Sequence, residues 1–373
     1  MSKITKIVLT GGPCAGKTTA LQRIEKEFTE KGYKVFIIGE SATELINGGA
    51  RPFGILSIPT YQFQKGIVDY QLYKEAMYES FAMTLPDDTK CLLICDRGVL
   101  DNKAYIDSEG FEQILKELSL KEIDLLTRYQ MVLHLVTAAK GAEEFYTLEN
   151  NEARSESVEE ARDLDDTTLS CWIGHPNLHV IANNQDFNSK MDQVVRSIHR
   201  ELGAPVPIQR QRKFFVKSSS VESFLETLAN VKKMRVEQLY ADGEEECCFR
   251  KMSDENASMY FEIHKKDTSD PEVRVKTMRH MKEKEYLRRT TNSVKTPILK
   301  DRYSFVHNNQ YFTLDVFRNL DLCLLEVEPT EENSRISLPS KLVVLDDVTA
   351  NPSYRNFSLF EQINQKGKEK VKV

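Results

Sequence analysis

The chain has 373 residues, 40% of them hydrophobic and 29% charged, with a formal net charge of −6. That length favours two domains over one, the apolar content is enough for real cores, and no apolar run approaches a membrane span. Seven cysteines without a CxxC pair, and an N-terminus without signal-peptide layout, argue against a secreted protein and lead to the expectation of a cytoplasmic one with reduced thiols.

The first predicted element is a strand over Ile4–Leu9. It runs into "TGGPCAGKTT", which contains the full P-loop pattern Gly11-x-x-x-x-Gly16-Lys17-Thr18. Apolar residues then recur at helical spacing at Ala20, Leu21, Ile24 and Phe28. A strand before and a helix after set this pattern apart from a chance glycine-rich turn. The expected nucleotide cradle is Gly11, Gly12, Pro13, Cys14, Ala15, Gly16, Lys17, Thr18 and Thr19. Its backbone N–H groups and the following helix N-terminus attract phosphate. Lys17 reaches the β- and γ-oxygens, and the Thr18 hydroxyl is placed to ligate Mg²⁺.

A second predicted strand, Lys34–Gly39, delivers Glu40 to the carboxyl edge of the sheet. A third, within "KCLLICDRG", delivers Asp96 and Arg97 to the same edge. Asp96 fits a Walker B carboxylate holding Mg²⁺; the alternative is a strand-end cap of the next helix. Arg97 joins the nucleotide-binding set. Glu40 and Asp101 are candidate general bases toward a hydroxyl acceptor, neither of them diagnostic. Further strands over Met131–Thr137 and Leu178–Ile181, alternating with helical stretches, predict a parallel sheet with helices on both faces. Between them lies a charged segment carrying Arg154 and Arg162. It reads either as a mobile lid whose arginines close over a triphosphate or as a solvated helix. The arrangement favours P-loop kinases over motor or Ras-like proteins. No Asn-Lys-x-Asp occurs, so the base is not readable from the residues.

At "ELGAPVPIQRQRKFFV" the texture changes. Segments of β-formers follow from Lys213 to Val327, six to eight strands predicting an antiparallel barrel or strongly curved sheet. From residue 207 onward there are 29 Lys+Arg against 26 Asp+Glu, leaving 22 against 31 before it, so the second half is the better candidate for an anionic partner. The strands carry Lys213, Arg250, Lys265, Lys300, Arg302, Asp315, Glu326 and Glu328, which point either to water or into a barrel interior. The segment Arg274–Arg289 is a candidate surface for anionic lipid or a partner, or a charged helix face. The tail "KGKEKVKV" is a weak lipid contact or a solvated terminus.

Longer motifs carry a resemblance over nearly the whole chain. "TGGPCAGKTT", "GESATELI", "CDRGVLDNKAYI", "TAAKGAEEFYTLENNEARSESVEEARDLD" and "GHPNLHVIANN" resemble NadR-like AAA P-loop proteins. "QRQRKFFV", "EQLYADGEEECCFRKM", "ILKDRYSF", "FTLDVF" and "LLEVE" resemble CYTH domains, the triphosphate-tunnel fold. In this order the two resemble the TRPL translocation defect protein family. The resemblance implies a P-loop domain over 1–204, a CYTH-like β-barrel over 205–365 and a basic tail over 366–373. It further implies a GTP-binding regulator, with or without slow hydrolysis and with ATP as the alternative nucleotide, that uses Mg²⁺. An acidic phospholipid such as phosphatidic acid, peripheral membrane contact and protein trafficking complete the implied function; no nucleic-acid partner is expected. The tunnel set implied for an anionic ligand is Lys213, Arg250, Lys265, Lys300, Arg302, Glu326 and Glu328.

One departure matters. Tunnel enzymes open with Glu-x-Glu-x-Lys, whereas this chain has Gln209-x-Gln211-x-Lys213. Neutral amides replace two carboxylates on a hard cation, which points to a binding module without triphosphatase chemistry. Two other readings stay open: a small-molecule kinase acting on a nucleoside or nicotinamide-riboside-like acceptor, and a tunnel-type triphosphatase.

Overall fold

The structure is a computed structural model and describes residues 4–145, 157–203, 208–241, 246–270, 272–329 and 335–370. The chain divides into two compact units, Met1–Ile198 and His199–Val373.

The first unit is an α/β layer structure. Its five parallel strands are β1 (Ile4–Thr10), β2 (Lys34–Ile38), β3 (Cys91–Asp96), β4 (Met131–Leu135) and β5 (Leu178–Ile181), in the order β2-β3-β1-β4-β5. Strand β4 is buried at all five positions and β3 at five of six, as strands covered on both faces must be. Helices α1 (Lys17–Glu30), α2 (Ser41–Asn47), α3 (Thr60–Thr84), α4 (Ser108–Glu117), α5 (Glu122–Leu126), α6 (Val158–Ser170) and α7 (Phe187–Glu201) fill the crossovers. At the start of β1 an ionic cluster is buried in this core. The Glu75 carboxylate accepts from Lys6 Nζ at 2.9 Å, Arg128 Nη2 at 2.8 Å and the Tyr129 hydroxyl at 2.6 Å. Four hydrogen-bond donors on one buried acid make it tolerable in a low-dielectric site.

The second unit is antiparallel. Its strands are β6 (Ile208–Arg210), β7 (Arg212–Val216), β8 (Lys232–Tyr240), β9 (Cys247–Ser253), β10 (Ser258–Asp267), β11 (Val273–Met281), β12 (Ile298–His307), β13 (Gln310–Phe317), β14 (Cys323–Val327) and β15 (Val344–Asp347). Their order is β15-β7-β14-β13-β12-β8-β9-β10-β11-β6. Strands β6 and β7 are one run of chain interrupted only at Gln211. Gln209 pairs with Arg274 on β11, while Lys213 pairs with Glu326 on β14. A single segment therefore bonds both ends of the sheet and closes it into a barrel. Short helices α8 (Val221–Leu225) and α9 (Glu283–Thr290) and the longer α10 (Asn356–Lys370) complete the unit.

Alternation along the strands divides the side chains. One apolar cluster includes Phe214, Val216, Phe305, Phe312, Leu314, Leu325 and Val327. The intervening Lys213, Lys300, Arg302, Asp315 and Glu326 face the barrel interior, so the ionic face is not the solvated one.

One sequence expectation needs correction. Arg274–Arg289 is not one charged helix: Val273, Val275 and Thr277 alternate with charges at period two and form β11, and only Glu283–Thr290 is helical. Helix α10 runs on to Lys370, into the basic segment 366–373. It is anchored earlier by Phe360, fully buried, and by Phe357, both packed on Tyr240.

Candidate functional site

The P-loop joins β1 to α1. Gly11 has φ of +140°, and a Cβ there would lie 2.1 Å from the Leu135 carbonyl oxygen, so only glycine allows the turn. Lys17 Nζ bends back onto the carbonyls of Gly11 and Gly12, at 3.1 and 3.2 Å. Burial first, and then the neighbouring Arg97 charge, lower its pKa to about 8 despite Asp96, Glu40 and Asp101. An ammonium held on its own loop at such a cost is poised for a stronger anion. Thr18 and Thr19 are exposed, with Thr18 at the first turn of α1.

Three sequence candidates meet here. Asp96 ends β3 with its Oδ1 buried and without a hydrogen-bond partner among the described residues, and burial raises its pKa. Arg97 follows with φ of +69° and donates from Nε to Glu40 Oε1 at 2.6 Å, while its Nη1 is also buried without a hydrogen-bond partner among the described residues. Glu40 accepts from the Thr43 hydroxyl at 2.7 Å as well. Burial pushes the Glu40 pKa upward, but Arg97, Lys17 and these hydrogen bonds outweigh it and leave it at about 2. Orphaned acceptor and donor atoms beside Lys17 are what a metal-bound phosphate would satisfy. A carboxylate oxygen on Asp96 and a hydroxyl on Thr18 are hard ligands of the type Mg²⁺ takes, so the residues fit that ion.

Asp101 is not poised as a base. Its carboxylate accepts from the Thr10 hydroxyl at 2.6 Å, the Gly98 N–H at 2.7 Å and Trp172 Nε1 at 3.0 Å, and it ties β1, β3 and the chain after α6 together. Arg162 is half-buried on α6, with Nε on the Ala139 carbonyl at 2.6 Å and Nη2 on Glu143 at 2.9 Å. Helix α6 begins at Val158 behind a Ser157–Glu160 capping box, and Arg154 lies outside the described residues.

One residue was missed by the sequence reading. Asp165, fully buried on α6, accepts at Oδ1 from the Gly12 N–H at 2.8 Å and the Thr137 N–H at 3.2 Å. The same oxygen lies 3.1 Å from His134 Nε2, and Oδ2 takes Lys140 Nζ at 3.1 Å. Asp165 thus fastens the P-loop to the end of β4.

With this geometry in view, comparison with known proteins places the first unit. Residues 6–190 match the AAA domain family. This stretch is an AAA-type P-loop domain. No curated protein matches the chain. Among solved structures, the inorganic triphosphatase NE1496 is similar at 19% identity over 40% of this chain and 93% of that one, with a TM-score of 0.28. A conserved hypothetical protein from Pyrococcus furiosus is similar at 16% identity over 34% and 80%, with a TM-score of 0.27.

Apart from the AAA-type domain, the second unit has its own site. A small pocket, open to solvent, is lined by Lys213, Arg250, Lys265 and Arg274, by the carboxylates Glu246 and Glu272, and by Gln209 and Gln211. Its cations differ sharply in how they are satisfied. Lys213 Nζ pairs with Glu326 at 3.0 Å and donates to the Tyr354 carbonyl at 3.0 Å; Arg274 pairs with Glu246. Arg250, by contrast, is buried with Nε unsatisfied, and neither it nor Lys265 has a carboxylate partner among the described residues. Burial, then the Arg302 charge, lower the Arg250 pKa. Burial and the nearby Lys276 lower that of Lys265 to about 7, against the pull of Glu326.

Lys300 and Arg302 do not line this pocket. Behind it, Lys300 Nζ donates to Asp315 at 2.6 Å, and Arg302 makes a two-pronged contact with Asp315 at 2.7 Å each. Burial works against ionising Asp315 and Glu326, yet the surrounding Arg302, Lys300 and Lys213 charges hold both carboxyls below their usual range. Glu328 takes a hydrogen bond from Gln209 Nε2 and lies 3.7 Å from Lys276. The Gln209 amide is therefore spent on a carboxylate.

Proposed function

We propose that the chain is a nucleotide-dependent regulatory protein, holding Mg²⁺-GTP in the AAA-type domain and a phosphorylated ligand, an acidic phospholipid head group such as phosphatidic acid, in the barrel pocket. The observation that carries the second half is the pair Arg250, buried, and Lys265, partly buried, two cations in an open pocket that have no carboxylate partner among the described residues. Phosphate supplies the charge-assisted hydrogen bonds they lack. Gln209 and Gln211, in place of metal-binding carboxylates, weigh against hydrolysis there. The choice of GTP and the link to membrane trafficking rest on the family resemblance.

In the AAA-type domain, Lys17 leaves the Gly11 and Gly12 carbonyls for the β- and γ-oxygens, and the cradle amides hold the β-phosphate. Thr18 and Asp96 would hold Mg²⁺, which neutralises charge on those oxygens. Arg97, positioned by Glu40, offers its unsatisfied Nη1 toward the same space. Arg162 would have to give up Glu143 to reach a nucleotide.

The Glu40–Arg97 pair favours one second reading, a small-molecule kinase. An ionised carboxylate beside a P-loop lysine can orient an acceptor hydroxyl for in-line transfer.

The barrel half is tested by sedimentation with vesicles of phosphatidylcholine with and without phosphatidic acid. The wild type is expected to bind only the latter. Removing each charge-assisted contact costs about 1.5–3 kcal/mol, so Arg250→Ala with Lys265→Ala should weaken binding by roughly 100-fold or more. Because ligand phosphate restores the Lys265 charge, binding should also weaken as pH rises above 7. Unchanged sedimentation of the double variant refutes the pocket as the lipid site.

A further inference from the structure

We propose that Cys247, Glu262 and His264 form a zinc site on the outer face of the β9–β10 hairpin. Cys248, Arg250, Ile263 and Lys265 line the interior pocket, so by strand alternation Cys247, Glu262 and His264 share the opposite face. Register brings them together: His264 pairs directly with Cys247, and Glu262 stands two residues before His264 on the same side. Cys247 Sγ lies 3.9 Å from His264 Nε2, which is 3.6 Å from Glu262 Oε1, and all three donor atoms fall within 4.8 Å of one another. Zinc with bonds of about 2.0–2.3 Å separates tetrahedral donors by roughly 3.3–3.6 Å. Closing the set needs a small swing of the exposed His264 ring and a turn of the Glu262 carboxylate toward Cys247.

Thiolate, imidazole and carboxylate are a ligand set for a borderline-soft ion, unlike the hard oxygen donors offered at Asp96 and Thr18. On binding, the Cys247 thiol proton leaves to solvent and Zn²⁺ takes its place, so affinity falls on acidification. The fourth position faces solvent beside His264. Cys247 itself is buried against Phe249, Tyr260, Met281 and Tyr286, which gives the sulfur a fixed position.

Two arginines already touch Glu262, and they divide its oxygens. Arg279 donates to Oε2 and is shared with Glu285, leaving it as an outer partner that orients the carboxylate. Arg289 Nη2 donates to Oε1 at 3.1 Å and is half exposed, so it is the group the ion displaces.

The test uses the full-length chain stripped with EDTA. Zinc is titrated in competition with a chromophoric chelator, and cobalt(II) is titrated in parallel for its thiolate charge-transfer band. One equivalent of zinc and a cobalt–thiolate band are expected. His264→Ala, at an exposed position, and Cys247→Ser should each weaken zinc by about 100-fold or more and remove the band, while Arg289→Ala should tighten zinc several-fold. Circular dichroism checks that each variant is folded. A wild type that takes up no zinc at micromolar concentration overturns the proposal. Equal uptake by wild type and His264→Ala does so too, because the ion would then sit on another thiol.

Discussion

Replacing Lys17 with alanine is expected to lower affinity for Mg²⁺-nucleotide by about 100-fold or more while leaving the fold as stable as before or slightly more so. The loss follows from removing two or more charge-assisted contacts to the β- and γ-phosphates, each worth about 1.5–3 kcal/mol. The preserved fold follows from the apo geometry: among the described residues the Lys17 ammonium is satisfied by the Gly11 and Gly12 carbonyls alone, and it loses charge stability through burial. Calorimetric titration and a thermal melt of the same variant separate the two effects. Unchanged affinity would remove Lys17 from the site.

The pH dependence has a definite sign. Folding lowers the Lys17 pKa from its ordinary 10.5 to about 8, so between these values the unfolded chain binds more protons than the native one. The Lys17 contribution to the stability of the nucleotide-free protein therefore improves as pH rises through that window and is least favourable below it. Triphosphate reverses this by restoring the charge. Nucleotide binding should be nearly independent of Lys17 ionisation below pH 8, take up a proton above it, and weaken as pH rises further.

The second large effect is expected at Asp165. Asp165→Ala removes one oxygen that serves the Gly12 and Thr137 amides and faces His134, and it strands Lys140. Breaking a buried charged network of this kind costs about 3–5 kcal/mol. For a unit of this size that lowers the melting temperature by roughly 10 °C. The P-loop loses its tie to β4, so nucleotide affinity falls as well. Asp165→Asn, which keeps an acceptor oxygen, should recover part of both losses. Burial opposes ionisation of Asp165, but His134, Lys140 and the Gly12 amide hold its carboxyl below the usual range. Its contribution is therefore present at neutral pH and is lost on acidification below the ordinary carboxylate pKa. A melting temperature unmoved by Asp165→Ala would contradict this role.

The P-loop, Glu40 and the Asp96–Arg97 pair were legible because each follows an apolar strand at the carboxyl edge of a parallel sheet, where position alone implies a ligand. Asp165 was not, because it sits in "VEEARDLDDTTLS" among acids that mostly face water. The one usable signal was its spacing with Ala161, Thr168 and Leu169, which together form the buried stripe of α6. In the barrel, alternation placed Lys213, Arg302, Asp315 and Glu326 on one face but left its direction open. The pairing of Lys300 and Arg302 with Asp315 depends on register between β12 and β13, which no local pattern fixes. Strand β11 was obscured because its Arg274, Lys276 and Arg279 run on into the charges of Glu283–Arg289 and read as one charged face, although Val273, Val275 and Thr277 alternate with them. Closure of the barrel through β6 and β7 joins residues 208–216 to strands more than fifty residues away, beyond any local signal.

The most direct measurement is calorimetric titration of the full chain with GTP and with ATP in Mg²⁺, followed by analysis of the nucleotide products. Stoichiometric binding that favours GTP, with slow turnover or none and no need for an acceptor, is the expected result. Absence of nucleotide binding, or turnover that starts only when a hydroxyl-bearing small molecule is added, would contradict the regulatory reading, and the latter would make the AAA-type domain a kinase.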